Sequence, residues 1–490
     1  MLLLELRIIL SKIADMESIK DKTIKSAKWN ALERLSIQGI QFILGLIMAR
    51  LLTPNDYGLV GMVAVFFAIS QSFIDSGFST ALIRKPDANE KEFSTVFYFN
   101  IVVAVFFYLA LFISAPYIAD FFKQPVLRPI VRVQAVSLIV NSLIVVQVAM
   151  LTIKLDFKSL AKRSVFATLI SGLIGVTMAY TGFGVWALVS QNVLSSIINL
   201  IYTCWLCRWY PSERFNVQAF KKLGAFGSKL LASGLIHTIY VHLTTLAIGK
   251  FYSPQDLGYY SRGQQIAELP NTTINGVLQT VTYPILSQIK DDDAHLVAVY
   301  RKYIKMTSLV IFIFCGVLCA LAKPFILILL TDKWLDAVPY LQVFALTCMF
   351  DHLSTINLNL LKVKGRSDLC LRLEIIKKII AFGLLCVSIP LGVMAICLSK
   401  FVYNHIALFI NTYYTGKLFG LGYITQLKDF FPYFFITILA CIPSFLLSNS
   451  SLPNIMILII GGSVSLLLYV LLLKNDDNMK EVILLAKEQL

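Results

Sequence analysis

With 57% apolar and only 14% charged residues over 490 positions, and a mean hydropathy of +0.75, the chain is neither a soluble globular protein nor a disordered one. Its net charge of +15 would suit a nucleic-acid partner in a soluble protein. Here the cations sit in short loops between apolar segments, so topology and anionic lipid account for them and no nucleic acid is expected.

Met1 to Asp15 form an apolar run with Arg7 and Lys12 and without a small-residue cleavage site; either this is an interfacial helix or translation starts at Met16. A helix needs about 20 apolar residues to cross a bilayer. Such windows fall near 31-52, 58-83, 95-118, 129-153, 163-180, 184-206, 224-250, 257-288, 303-322, 337-361, 372-390, 392-416, 429-447 and 453-473, which makes 14. The expected fold is therefore an all-α polytopic membrane protein.

Internal repetition orders these helices. Arg50-Leu-Leu-Thr53-Pro54-Asn-Asp56-Tyr-Gly58 returns 200 residues later as Lys250-Phe-Tyr-Ser253-Pro254-Gln-Asp256-Leu-Gly258. Pro129, Asn141 and Lys154 match Pro339, Asp351 and Lys364 at an offset of 210, and Gly184-Val-Trp-Ala187 matches Gly392-Val-Met-Ala395 at 208. Six helices per copy is an even number, so both copies enter the membrane in the same direction, as two parallel six-helix lobes followed by two C-terminal helices. The organisation reads as a cytoplasmic segment 1-28, an N-lobe 29-210 (helices 1-6), a C-lobe 211-420 (helices 7-12), helices 13 and 14 over 421-475, and a cytoplasmic tail 476-490. Loops on one side hold 28 Lys and Arg against seven on the other, which places both termini in the cytoplasm. In both repeated turns Pro presets the backbone, Asp can cap the next helix and Gly permits close approach, so they read as structural.

Nine scattered cysteines do not form a disulfide framework, and Cys204-Trp-Leu-Cys207 lacks the second pair or histidines of a metal site. The Asn271-Thr-Thr273 sequon falls inside helix 8. Phosphate-loop, zinc-protease and nucleophile-elbow motifs do not occur, and no loop could fold a catalytic domain, so neither an enzyme nor a resident cofactor or metal is expected.

The informative residues are the polar ones the bilayer makes costly, about 2.5 to 3.5 kcal/mol each at a helix centre. Arg34, Gln38, Gln41 and Gly45 share one face of helix 1; Gln71, Asp75 and Ser79 lie on helix 2; Lys229, Ser233, His237, Tyr240 and Thr244 follow on helix 7. Helix 8 is the most polar, with Arg262, Gln265, Glu268, Thr272, Asn275 and Gln279 in a stripe that Pro270 interrupts. Asp75 superposes on Asn275, so helices 1, 2, 7 and 8 are expected to line a cleft between lobes. Each residue has a plainer alternative. Arg34 could snorkel to the interface, Arg262 stands near a helix end, and Arg50 and Lys250 suit interfacial anchors. Asp75 and Glu268 serve either a cation or proton or a buried ion pair. His237 is either a proton site or a hydrogen-bonded histidine. Asp351-His352 offers a second coupling site, snorkelling explains Glu374, Lys377 and Lys378, and Lys400 stands alone.

The runs Leu257-Gly-Tyr-Tyr-Ser-Arg262-Gly-Gln-Gln-Ile, Leu269-Pro270, Tyr283-Pro284-Ile-Leu-Ser287 and Asp291-Asp-Asp293, with Ala49 to Gly58 and Asp75-Ser-Gly77-Phe-Ser-Thr-Ala-Leu-Ile83, resemble bacterial oligosaccharide flippases. Over residues 17 to 475 the chain resembles the polysaccharide transporter family of the multidrug/oligosaccharidyl-lipid/polysaccharide exporter superfamily, in the branch of the colanic acid exporters. That resemblance implies a multi-pass protein of the bacterial cytoplasmic membrane that moves undecaprenyl-diphosphate-linked oligosaccharide outward by alternating access. It also implies coupling to H+ or Na+, contact with membrane lipids and with polysaccharide polymerase machinery, and a lipid-tail groove that helices 13 and 14 could share. A diphosphate needs Arg or Lys donors, and sugars need amides and aromatic rings. Arg34, Lys229 and Arg262 are the diphosphate candidates, Gln38, Gln41, Gln265 and Asn275 the sugar candidates, and Asp75 and Glu268 the coupling candidates. A cation-coupled drug or small-metabolite antiporter and a membrane glycosyltransferase or polymerase are the alternatives, the latter disfavoured by short outer loops.

Overall fold

The computed structural model describes residues 36–75, 77–85 and 87–481, apart from the side chains of residue 229 and residues 270–285. Arg34 and the segment before Met16 lie outside it, as do the side chains of Lys229 and Asn275.

Every one of the 14 expected segments is helical where it is described, and the described elements are all helices. In the first compact unit, which ends at Gln255, these are α1 (Ser36–Leu51), α2 (Pro54–Asp75), α3 (Phe78–Ile83), α4 (Glu90–Phe122), α5 (Leu127–Ser142), α6 (Val145–Ile153), α7 (Phe157–Tyr180), α8 (Val185–Cys207) and α9 (Val217–Phe251). The second unit begins at Asp256, in α10 (Pro254–Gln288), and holds α11 (Asp293–Ala320), α12 (Ala322–Leu329), α13 (Val338–Val363), α14 (Ser367–Ser388), α15 (Val393–Phe419), α16 (Tyr423–Leu447) and α17 (Asn454–Leu472).

Among the described residues, ten segments are long and apolar enough to cross a membrane: α2 with α3, α4, α5 with α6, α7, α8, α9 from Leu230, α11, α15, α16 and α17. Large apolar side chains face outward on them, with Phe106 63% and Leu446 67% exposed. An aqueous surface would not tolerate that, and lipid requires it. The protein is an all-α polytopic membrane protein. α10, α13 and α14 occupy their expected places but carry more polar residues.

Three expected helices are broken. Gly77, at φ +67°, separates α2 from α3; α5 gives way to α6 at Leu143-Ile144; α12 continues after α11 past Leu321. α10, by contrast, runs without a break through Pro270. Proline removes a single donor from the ladder, and a long membrane helix has enough remaining bonds to continue.

The first of the repeated turns is built as a capping device. Asp56 Oδ2 accepts from the Thr53 amide at 2.9 Å and from Thr53 Oγ1 at 2.7 Å, while the Asp56 amide donates back to Thr53 Oγ1 at 3.3 Å. Gly58 has a separate reason: a Cβ there would lie 1.6 Å from the Pro254 carbonyl oxygen, so the two copies of the turn meet backbone to backbone.

The connector 208–216 is fastened to the start of α4. Trp209 Nε1 donates to Glu90 at 3.1 and 3.2 Å, the Glu213 amide to Ser94 Oγ at 3.3 Å, and the Asn216 amide to Thr95 Oγ1 at 3.1 Å. α9, which by sequence opens the second copy, then packs along α2 in the first unit, with Ser72 Oγ 3.0 Å from Thr238 Oγ1. In the second unit α16 and α17 form a hairpin closed by Ser444, whose hydroxyl donates to the Gly461 carbonyl at 2.6 Å and meets Ser465 Oγ at 2.5 Å. Arg301 on α11 grips Asp429 on α16 through Nε and Nη2, at 2.8 and 2.7 Å, with Lys305 at 3.5 Å.

Candidate functional site

Polar chemistry gathers at one place in each unit. In the first, α2 ends at Asp75 because the chain turns left-handed at Gly77, where a Cβ would lie 2.6 Å from the Gly227 carbonyl oxygen of α9. Asp75 is therefore the last residue of its helix, where unsatisfied carbonyls disfavour negative charge unless a donor offsets them. Gln71 is that donor: its Nε2 reaches Asp75 Oδ1 at 3.0 Å, and its Oε1 accepts from Asn141 Nδ2 of α5 at 3.3 Å. The result is a directed amide chain from α5 to the carboxylate.

Asp75 lines a cavity of about 270 Å³ together with Ala68, Gln71 and Ser72 of α2 and His237, Thr238, Val241 and His242 of α9. A carboxylate and two imidazoles around one cavity can take up and release a proton. Among the described residues no group of three His, Cys, Asp or Glu is placed to hold a metal ion. Of the sequence candidates this cavity unites Asp75 with His237. Asn141 and His242 were not among them; the repeat aligned Asn141 with Asp351, but nothing in spacing showed its bond to Gln71.

In the second unit, α10 packs so tightly on α13 that a Cβ on Gly263 would lie 2.9 Å from the Leu341 nitrogen. This approach buries Arg262, only 7% exposed, with its guanidinium 5.6 Å from the Trp334 ring and Nη1 donating to Gln265 Oε1 at 2.7 Å. Gln264 Nε2 donates to Glu268 Oε1 at 2.6 Å, and its Oε1 accepts from Lys400 Nζ of α15 at 3.5 Å. Lys400 also faces the rings of Tyr260 and Phe344, each 5.5 Å away. Asp351 of α13 accepts from Asn404 Nδ2 at 2.6 Å, and that amide also bonds the Thr347 carbonyl.

Of the residues assigned to one stripe, Arg262 and Gln265 thus bond each other while Glu268 bonds Gln264, and the structure adds Lys400, Gln264, Asp351 and Asn404 beside the second pair. Cations with amides and aromatic faces beside them can bind an anion that carries hydroxyls. Elsewhere His352 is fully buried and 3.0 Å from Ser308 Oγ, beside the Phe312 ring. Its ring is packed between α11 and α13. Lys377 pairs with Glu374 at 2.5 Å, Gln38 is half-buried and Gln41 exposed on α1, and residue 229 lies on α9.

Fold and site define an all-α polytopic membrane protein with charged and amide side chains set on its membrane helices. The structure resembles lipid II flippase MurJ in an inward closed conformation, with a TM-score of 0.73 at 12% identity over 91% of this chain and 99% of that one. It also resembles an inward-facing multidrug resistance MATE family transporter, with a TM-score of 0.57 at 16% identity over 79% and 97%. The chain belongs to the polysaccharide biosynthesis protein family, whose model matches residues 47–339. Among curated relatives, the teichuronic acid biosynthesis protein TuaB of Bacillus subtilis is 28% identical over 356 residues, 72% of this chain and 74% of its own. The lipopolysaccharide biosynthesis protein WzxC of Escherichia coli is 21% identical over 366 residues, 74% of each chain. The succinoglycan biosynthesis transport protein ExoT of Rhizobium meliloti is 23% identical over 331 residues, 67% of each.

Proposed function

We propose that this protein is a flippase that carries a lipid-diphosphate-linked oligosaccharide across the bacterial cytoplasmic membrane for surface polysaccharide synthesis, moving its substrate without chemical change. The observation that carries this reading is a pair of cations on membrane helices, Arg262 buried and bonded to Gln265, and Lys400 beside the Tyr260 ring, in a family of polysaccharide biosynthesis proteins. An anionic head group suits the cations, sugars suit the amides and rings, and a prenyl tail can remain in lipid. The relatives named for lipopolysaccharide biosynthesis, succinoglycan transport and lipid II flipping support the same substrate class. The bias of Lys and Arg supports cytoplasmic termini. A potential of 100 mV, negative inside, contributes about 2.3 kcal/mol per negative charge moved outward. Reconstituted vesicles loaded with lipid-linked oligosaccharide on one leaflet test the activity. Transfer that matches protein-free vesicles would reject it, and resistance to toxic compounds in an expressing strain would favour the antiporter instead.

Coupling to H+ or Na+ belongs to the same proposal, with Asp75 as the leading carboxylate because it opens on a cavity shared with His237 and His242. Asp75→Asn preserves shape and the Gln71 contact while removing the charge. Vesicles bearing this variant are expected to transfer substrate at a rate that no longer responds to an imposed proton or sodium gradient. A response equal to wild type would exclude Asp75 from coupling.

A further inference from the structure

α15 and α16 follow one another in the chain but lean on different partners, α15 on α13 and α14, α16 on α11 and α17. Phe350 of α13 stands between them, its ring 4.5 Å from His405 of α15 and 5.4 Å from Phe434 of α16. The two helices meet at their connector, where a Cβ on Gly416 would lie 2.9 Å from the Gly422 Cα. Beside this crossing opens a cavity of about 460 Å³, lined by Phe409, Tyr413 and Gly416 of α15, by Gly420, and by Tyr423 and Ile424 of α16. Phe409 and Tyr413 are each 61% exposed, and Phe409 meets Tyr423 at 5.6 Å, so the rings wall a slot that opens outward. Phe409 lies half a helical turn round α15 from Lys400, so the slot is separate from the site described above.

The hydrocarbon core takes about 20 residues of helix. Counted from Val393 along α15 that stretch ends near Thr412, and counted back from Leu447 along α16 it ends near Lys428, so the cavity stands at headgroup depth. From Val393 to Lys428 the chain holds no Asp or Glu. Lys417 lies one turn from Tyr413 and Lys428 one turn from Ile424, both exposed and on the faces that line the cavity. Asp429, which follows, is buried and taken by Arg301. We propose that this cavity binds an acidic phospholipid, its phosphate between Lys417 and Lys428 and the upper part of its acyl chains against Phe409 and Tyr413. A soluble anion would leave the aromatic slot unfilled, and a zwitterionic lipid brings a cation that the two lysines repel. Such a lipid would brace the crossing of α15 and α16 from the membrane side.

Native mass spectrometry of the full chain, titrated with phosphatidylglycerol and with phosphatidylcholine as the neutral control, tests the site. Wild type should retain phosphatidylglycerol in preference to phosphatidylcholine. The double variant Lys417→Gln with Lys428→Gln should bind the first phosphatidylglycerol about tenfold more weakly, with phosphatidylcholine unchanged. Lys221→Gln with Lys222→Gln, which removes the same charge from an exposed stretch of α9, should bind like wild type. Ile424→Trp, which fills the cavity and keeps both lysines, should exclude phosphatidylglycerol as well. Wild-type binding in the Lys417 and Lys428 double variant, or an equal loss in the Lys221 and Lys222 pair, would overturn the proposal. Should the first double variant not give monodisperse protein, unchanged binding in Ile424→Trp overturns it alone. Undecaprenyl diphosphate at equal concentration should leave phosphatidylglycerol in place; displacement would assign the cavity to the transported lipid and reject the phospholipid.

Discussion

Arg262→Ala is expected to reduce export of surface polysaccharide by at least about tenfold while the protein continues to accumulate in the membrane. Arg262 is buried against Trp334 and bonded to Gln265, so its loss removes a fixed cation from the second-unit site. Hydrogen bonds to a charged group are worth about 1.5 to 3 kcal/mol, and each 1.4 kcal/mol is a factor of ten. Arg262→Lys keeps the charge but not the planar fork, and should fall between the two. Quantified surface glycan beside an immunoblot of the membrane fraction, in a strain without its own copy, reads both quantities. Wild-type glycan in Arg262→Ala would remove this residue from the substrate site.

The second large effect concerns stability. Asp429 is only 2% exposed and depends on the bidentate grip of Arg301, with Lys305 more distant at 3.5 Å. Breaking a fully buried pair costs about 3 to 5 kcal/mol. Arg301 is 43% exposed and Lys305 remains, so Arg301→Ala should cost less, about 2 to 3 kcal/mol. It should appear as a lower unfolding temperature of the detergent-solubilised protein. The double variant Arg301→Ala with Asp429→Asn should regain most of the loss, because the buried charge then disappears with its partner. An unfolding temperature that Arg301→Ala leaves unchanged would show that this pair does not hold α16 on α11.

Hydropathy made the helices legible, since each expected apolar window between residues 36 and 473 is helical. It could not show the breaks at Gly77, at Leu143 or after Ala320, because a window reports apolarity and not whether the backbone ladder continues. The site was half legible for a related reason. Arg262 and Gln265 lie three residues apart on one helix, so their bond could be read directly, whereas Glu268 of the same stripe bonds Gln264 instead. Lys400 looked isolated because Gln264 is 136 positions away and Asp351 is on another helix. Asp75 was recognisable as a costly charge, but its support by Gln71 and Asn141 spans 70 residues and left no local pattern. Asp351-His352 shows the converse: the two are adjacent in sequence, yet one pairs with Asn404 and the other with Ser308, on different helices.

The fastened connector at 208–216 bears on how the gene could be divided. Duplication marks the joint near residue 210, and a split there would leave the first fragment without α9, exposing the face of α2 that carries Ser72 and the close contact at Gly77. The compact first unit instead ends at Gln255, after the sharp turn at Tyr252-Ser253. A two-fragment version of this protein has its better cut there, because ancestry and packing partition the same chain at different residues.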